Sequence, residues 1–202
     1  MRDPLSTYQV NEKNVKELHA LHKYLSTRLP AIDLGDILRS EYVLIVSAFD
    51  AYIHDIVRQG MIDIFKGTDP TNDKYNQYMV PMSFFQQLSS CATEVERIDL
   101  FESVLKKQME KDSYQSPRGV DYALQFIDVH SVWSNVAPHM GYTSGQDVNN
   151  QLALIIRRRN QIAHESDIKT LSGTEKNDIS RADVEVVIDF IGKLVRGIEA
   201  LR

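Results

Sequence analysis

The sequence predicts an all-α protein, an elongated antiparallel helical bundle with extra short helices between the long ones. Three observations carry that expectation. Apolar residues recur at three- and four-residue intervals through most of the 202 positions, which builds one apolar face per helix. No stretch alternates apolar and polar residues with the period of two that a half-buried strand needs. The periodic segments are joined by short polar connections, and short connections favour antiparallel neighbours.

The elements follow in order. Asn11 to Leu29 carries Val15, Leu18, Leu21, His22 and Leu25 at helical spacing and stops at Pro30, giving an N-terminal helical element over 11–35. The long core helix spans 36–66, with Val43, Val46, Phe49, Ile53, Val57, Met61 and Ile64 on one side and Gly67 past its end. Turn chemistry makes 67–73 a loop. Phe84 to Ser90 reads as a short helix after Pro81. Middle helices occupy 93–136: first Thr93 to Lys111, with Thr93 and Glu96 at capping-box spacing, then one or two modest helices over Val120 to Val136. Pro138 to Gln146 is expected to be a loop. A helix over 147–165 follows, then a polar surface loop over 166–178. Ser180 caps the last helix, 180–201, whose Val184, Val187, Ile188, Ile191, Leu194, Val195 and Ile198 face inward.

Length points to one domain over residues 1–202, with room for a small helical insertion. Hydrophobic residues at 43% and charged residues at 25% are those of an ordinary globular chain. The net charge of -5 argues against a surface built throughout for duplex DNA or acidic lipid, so any nucleic-acid contact must be local. Cys91 is the single cysteine, which rules out an intrachain disulfide framework and fits a reducing cytoplasm. The start Met1-Arg-Asp-Pro-Leu5 has no apolar segment behind it that would read as a targeting signal. The longest apolar stretch, Tyr42 to Phe49, is too short to span a bilayer, so no membrane partner is expected.

One segment asks for chemistry. With about 100° per helical residue and Val148 as zero, Val148, Leu152, Ile155, Ile156, Ile162 and Ala163 form an apolar stripe centred near ~20°. Arg159 also falls at ~20°. A residue that is almost never fully buried without a partner is thus aimed at the core or at an interface. Arg157 and Arg158 point away from the stripe. Asn160 and His164 share the polar flank, one turn apart. On the long helix Asp50 falls at the edge of the apolar stripe, and a buried carboxylate needs a partner too. The sequence therefore suggests that Asp50 pairs with or orients Arg159, with His54 one turn further on.

Other constellations are weak. His19 and His22 have a spacing that can ligate metal, but no neighbouring carboxylate pair completes a site. The glycines are dispersed, so neither a P-loop nor a dinucleotide fingerprint is present. No strand-turn-helix elbow surrounds any serine. Tyr75, Tyr78, Phe84 and Phe85 could stack bases, although core packing explains them better. No cofactor and no metal are expected.

The run Arg159-Asn160-Gln161-Ile162-Ala163-His164 resembles the Arg-x4-6-His motif of HEPN domains, including the polar residue directly after the arginine. Ser47 to Asp55 on the long helix, Arg157 to Asp167 around the motif, and the spacing between them are similar to the RiboL-PSP-type HEPN group. The resemblance covers nearly the whole chain, from about Arg39 to the last helix. It implies a helical bundle that dimerises and brings two motif copies into one cleft. It further implies a metal-independent endoribonuclease that cuts RNA through 2′-OH attack and acts as a toxin or defence effector. The alternative is a catalytically inactive module for RNA or nucleotide binding or for dimerisation. The catalytic residues would be Arg159, His164 and Asn160, with Asp50, His54 and Glu165 in support. An antitoxin or other defence-system protein would be a partner besides RNA. HEPN toxins silenced by nucleotidyltransferases carry a tyrosine two residues after the histidine; Ser166 stands there, which argues against that control. Arg159 and His164 lie about 140° apart on one helix, so a composite cleft requires a homodimer whose two-fold axis passes near residues 157–165.

Overall fold

The computed structural model describes residues 3–169 and 173–202. Among these the fold is all-α. The helices are α1 (Pro4–Arg28), α2 (Gly35–Phe65), α3 (Asp73–Asn76), α4 (Met82–Leu88), α5 (Glu94–Met109), α6 (Pro117–Leu124), α7 (Val132–Met140), α8 (Gly145–His164) and α9 (Arg181–Glu199), with a 3-10 turn at Gln125–Ile127 between α6 and α7. The described residues contain no strand, only an isolated antiparallel bridge between Ile168 and Lys176. Met1, Arg2 and residues 170–172 of the expected loop lie outside the described residues.

The helix ends show why the chain breaks where it does. Thr93 accepts from the Glu96 amide at 3.2 Å while the Glu96 carboxylate accepts from the Thr93 amide at 3.2 Å, the expected capping box of α5. Ser180 and Asp183 form the same reciprocal pair at the start of α9. Gly67, at φ 76°, supplies the left-handed residue beyond α2, a conformation glycine adopts without steric cost.

Three expectations need correction. The first helix begins at Pro4, not near Asn11, because the Asp3 carboxylate accepts from the Ser6 amide at 2.8 Å and Pro4 takes the first helical position. Helix α7 runs through Pro138 to Met140 and stops only at Gly141, φ 79°. The segment 166–178 is not wholly a surface loop, since Asp167 is buried and anchors it.

The chain divides into two compact units: Met1–Tyr52 with Ser131–Arg202, and Ile53–His130, so that α2 contributes to both. In the first unit α7 packs against α8 and α9, and α1 packs against α9. Its fully buried side chains include Ile45, Val46, Phe49, Val148, Leu152, Val184, Ile191, Leu194 and Ile198. Tyr52, also buried, donates to the Glu199 carboxylate at 2.5 Å and meets Tyr8 edge to face. In the second unit α4 packs against α5, and Phe65 stacks on Phe101 at 4.4 Å with Phe84 standing edge-on to Phe65. Burial of this apolar surface is the main force holding each unit together.

Candidate functional site

Helix α8 carries the motif. Ser144 caps its start by accepting from the Gln146 amide at 3.1 Å, and Val148, Leu152, Ile155 and Ile156 are buried. Beyond Ile156 the inner face opens. Arg159 and Ile162 are half-buried and Ala163 is exposed, so the last two residues of the expected core stripe do not reach the core.

Among the described residues Arg159 makes one side-chain hydrogen bond, from Nη1 to the Asn160 Oδ1 at 3.1 Å. Its Nε is buried and has no partner among the described residues. His164 is the last residue of α8 and is exposed, as is Glu165, whose amide closes the helix on the Gln161 carbonyl at 3.0 Å. Arg159 and Asn160 are thus directly joined, with His164 one turn beyond Asn160 on the same helix.

The remaining candidates lie elsewhere. Asp50 is half-buried on α2, and the guanidinium of Arg159 bonds to Asn160. His54 belongs to the second unit, where its ring lies 4.4 Å from that of Tyr114. His19 of α1 does find a carboxylate, since its Nδ1 lies 2.7 Å from Glu41 Oε2. Among the described residues no three His, Cys, Asp or Glu side chains gather as a metal-ligand set, and no helix is long and apolar enough to cross a membrane.

A second group of residues secures the motif's end of α8, and sequence reasoning missed it. Asp167 is 1% exposed. Its carboxylate accepts from Arg39 Nε at 2.7 Å, from both terminal nitrogens of Arg158, and from Asn177 Nδ2 at 3.2 Å. The Asp167 amide donates to the Gln161 carbonyl at 3.1 Å, and its carbonyl accepts from the Asn177 amide at 2.7 Å. Arg39 also donates to the Asn177 carbonyl at 2.6 Å. Ser166 and Asp167 take φ of 54° and 59°, a left-handed turn that sends the chain back over the helix end. Arg158, expected on the solvated side, is therefore a structural ligand of a buried carboxylate, while Arg157 is exposed as expected. Only the polar character of 166–178 hinted at this, because Arg39 stands 128 positions from Asp167.

Between α2 and the end of α8 lies an open groove of ≈ 610 Å³, floored by Val43, Leu44, Ile162 and Ala163 and edged by Arg39, Ser166 and Lys176. Leu44 is 46% exposed there. Lys176 donates to Asp36 at 2.6 Å, and that bond, with the charges of Lys176 and Arg39, holds the Asp36 carboxyl below its usual range. The motif therefore stands beside an apolar face with a charged rim.

The RiboL-PSP-HEPN family model matches residues 9–201. No curated protein and no solved structure matches the chain. The family match spans nearly the full length and includes the helix that carries Arg159, Asn160 and His164. The chain therefore belongs to the RiboL-PSP-HEPN family, a group of HEPN-type domains.

Proposed function

We propose that the protein is a metal-independent endoribonuclease that works as a homodimer, with Arg159, Asn160 and His164 of both copies facing one cleft. The observation that carries this reading is the guanidinium of Arg159, fixed through one nitrogen by Asn160 while its buried Nε lacks a partner among the described residues. A buried N–H without an acceptor costs about 1–3 kcal/mol. A phosphate oxygen would satisfy it, and arginine matches phosphate geometry better than any other side chain.

In the proposed reaction the ribose 2′-oxygen attacks the adjacent phosphorus and the bond to the 5′-oxygen breaks. The products are a 2′,3′-cyclic phosphate and a 5′-hydroxyl. One His164 takes the 2′ proton and the other returns a proton to the leaving 5′-oxygen, roles suited to a side chain that exchanges protons near neutrality. Arg159 stabilises the charge that builds on the non-bridging oxygens. Asn160 positions Arg159 through its bond to the guanidinium. Asp50, His54 and Glu165, the expected supporting residues, are assigned no proton transfer or charge stabilisation of their own in this scheme.

The apolar groove beside the motif supports the homodimer, since Val43, Leu44, Ile162 and Ala163 offer a face that a second copy could cover. We further propose that the enzyme acts in the cytoplasm as a toxin or defence effector restrained by a protein partner.

The test is cleavage of single-stranded and structured RNA in the presence of EDTA, comparing wild type with Arg159→Ala and His164→Ala. Both variants should lose at least a hundredfold in rate while keeping wild-type circular dichroism, and the wild-type products should carry cyclic phosphate ends. Wild-type RNA binding without cleavage would replace this reading with that of an inactive binding module. A monomer by sedimentation at high concentration would remove the composite cleft.

A further inference from the structure

In the second unit a cavity of ≈ 290 Å³ is lined by Lys74, Tyr78, Gln108, Asp112, Tyr122 and Phe126, among others. Three rings wall it. Tyr78 and Tyr122 each stand edge-on to Phe126, with centroids 5.4 Å apart and planes at 89°. The ammonium of Lys74 sits 4.0 Å from the centroid of Tyr122 and 5.2 Å from that of Phe126. Among the described residues no carboxylate pairs with Lys74, so its charge is met by ring faces, which carry negative potential.

The other groups on the cavity have the same polarity. Gln108 donates from Nε2 to the Met79 carbonyl at 3.1 Å, but its Oε1 is buried without a partner. Asp112 brings a carboxylate, and Tyr78, its hydroxyl pushed up to about 12 by burial and then by the Asp112 charge, stays protonated beside it. Ring faces, carboxylate and orphan carbonyl oxygen all attract a cation that carries N–H groups, and none of them suits an anion.

We propose that this cage is a binding site for a primary or secondary alkylammonium, free or borne on a lysine side chain, and that Lys74 occupies it as an internal competitor. The rings take the charge and the adjoining methylenes, while Gln108 Oε1 and Asp112 accept the N–H groups. Lys74 can yield its place without loss of α3. That short helix is tied down independently by Asn72, which accepts from the Tyr75 amide at 2.8 Å and donates to the Phe126 carbonyl at 3.0 Å.

The test is a titration of the full-length protein at low salt with 1,4-diaminobutane, with N-acetyl-lysine methylamide and with tetramethylammonium, read on the NMR ring resonances of Tyr78 and Tyr122. Saturable shifts are expected with the first two, and whichever amine binds more tightly identifies the source of the ammonium. Tetramethylammonium, which has no N–H for Gln108, should bind more weakly. Lys74→Gln should tighten amine binding about two- to fivefold, the worth of one exposed cation–π contact. Tyr122→Ala should abolish the response. The proposal is overturned if neither amine gives saturable shifts, if Tyr122→Ala responds like wild type, or if folded Lys74→Gln binds no better than wild type. Should Lys74→Gln fail to fold, wild type against Tyr122→Ala decides alone.

Discussion

Asp167 is the residue whose loss should reveal most about how the motif is held. Its carboxylate is fully enclosed and faces two guanidinium groups, those of Arg39 and Arg158. Replacement by alanine leaves Arg158 without its anion and Arg39 with only its 3.3 Å contact to the exposed Asp36. Removing one partner of a buried pair costs about 3–5 kcal/mol. The side chains of Arg39 and Arg158 are 11% and 23% exposed, so water recovers part of that loss and the lower end applies, about 3 kcal/mol. With a urea dependence of about 3 kcal/mol per molar, the unfolding midpoint of Asp167→Ala should fall by about 1 M. The assay is equilibrium urea unfolding followed by circular dichroism, with Arg39→Ala and the double variant completing a cycle. Contacting groups should couple by at least about 0.5 kcal/mol. A loss below about 1 kcal/mol, or strict additivity in the cycle, would refute the idea that this carboxylate clamps the helix end.

Three more outcomes follow from the first unit. Tyr52→Phe keeps the ring packed on Tyr8 but removes its bond to Glu199. It should lower stability by about 1.5 kcal/mol, the lower end for a bond to a charged group that water can reach; unchanged urea unfolding would contradict this. Gly145→Ala would place a Cβ 2.6 Å from the backbone of Trp133 and Ser134, which cannot move aside as a side chain can, so a melting point unchanged from wild type would be the wrong result; a cost of about 1–3 kcal/mol is expected. His22 titrates below its ordinary 6.5 because of burial first, then the charges of Arg181 and His19. As pH falls through 6.5 the unfolded chain takes up the proton before the folded one does, so stability is lost on acidification. Glu41 works in the opposite sense: burial raises its carboxyl despite the bond from His19, so its contribution declines as pH rises above 4.5. Urea midpoints at pH 7.5 and 5.5 should therefore differ by less in His22→Gln than in wild type; equal differences would exclude His22 as a source.

The parts of the fold legible in the sequence were those specified locally. The capping boxes of α5 and α9 and the apolar face of α2 arise from neighbours three and four residues apart, and such neighbours can be read from the chain itself. The early start of α1 was readable as well, since Asp3 followed by Pro4 is a helix-start signature, but the thin apolar pattern before Asn11 hid it. Arg159 stood out for the same local reason, an arginine on an apolar stripe. Asp167 could not be read in this way. Its partners come from α2, from α8 and from residue 177, and it acquires its role only after the chain turns back through two left-handed residues. The expected pairing of Arg159 with Asp50 rested on angular position on two separate helices, which says which faces point inward, not which side chains meet.

Arg158 and Arg159, adjacent in sequence, end in opposite conditions, and that contrast makes a last prediction. Arg158 has its charge matched by a buried carboxylate, whereas Arg159 has a buried Nε with no acceptor among the described residues. If stability alone had shaped this turn, an apolar side chain would serve better at position 159, because the apolar stripe already runs through it. Arg159→Met keeps most of the stem and removes the orphan donor, so it should raise stability by about 1 kcal/mol, while RNA cleavage is lost. Such a gain is the usual sign of a residue held for function against the interest of the fold. A variant no more stable than wild type in urea would mean that solvent already satisfies the Nε, and the guanidinium would then have no stored need for phosphate.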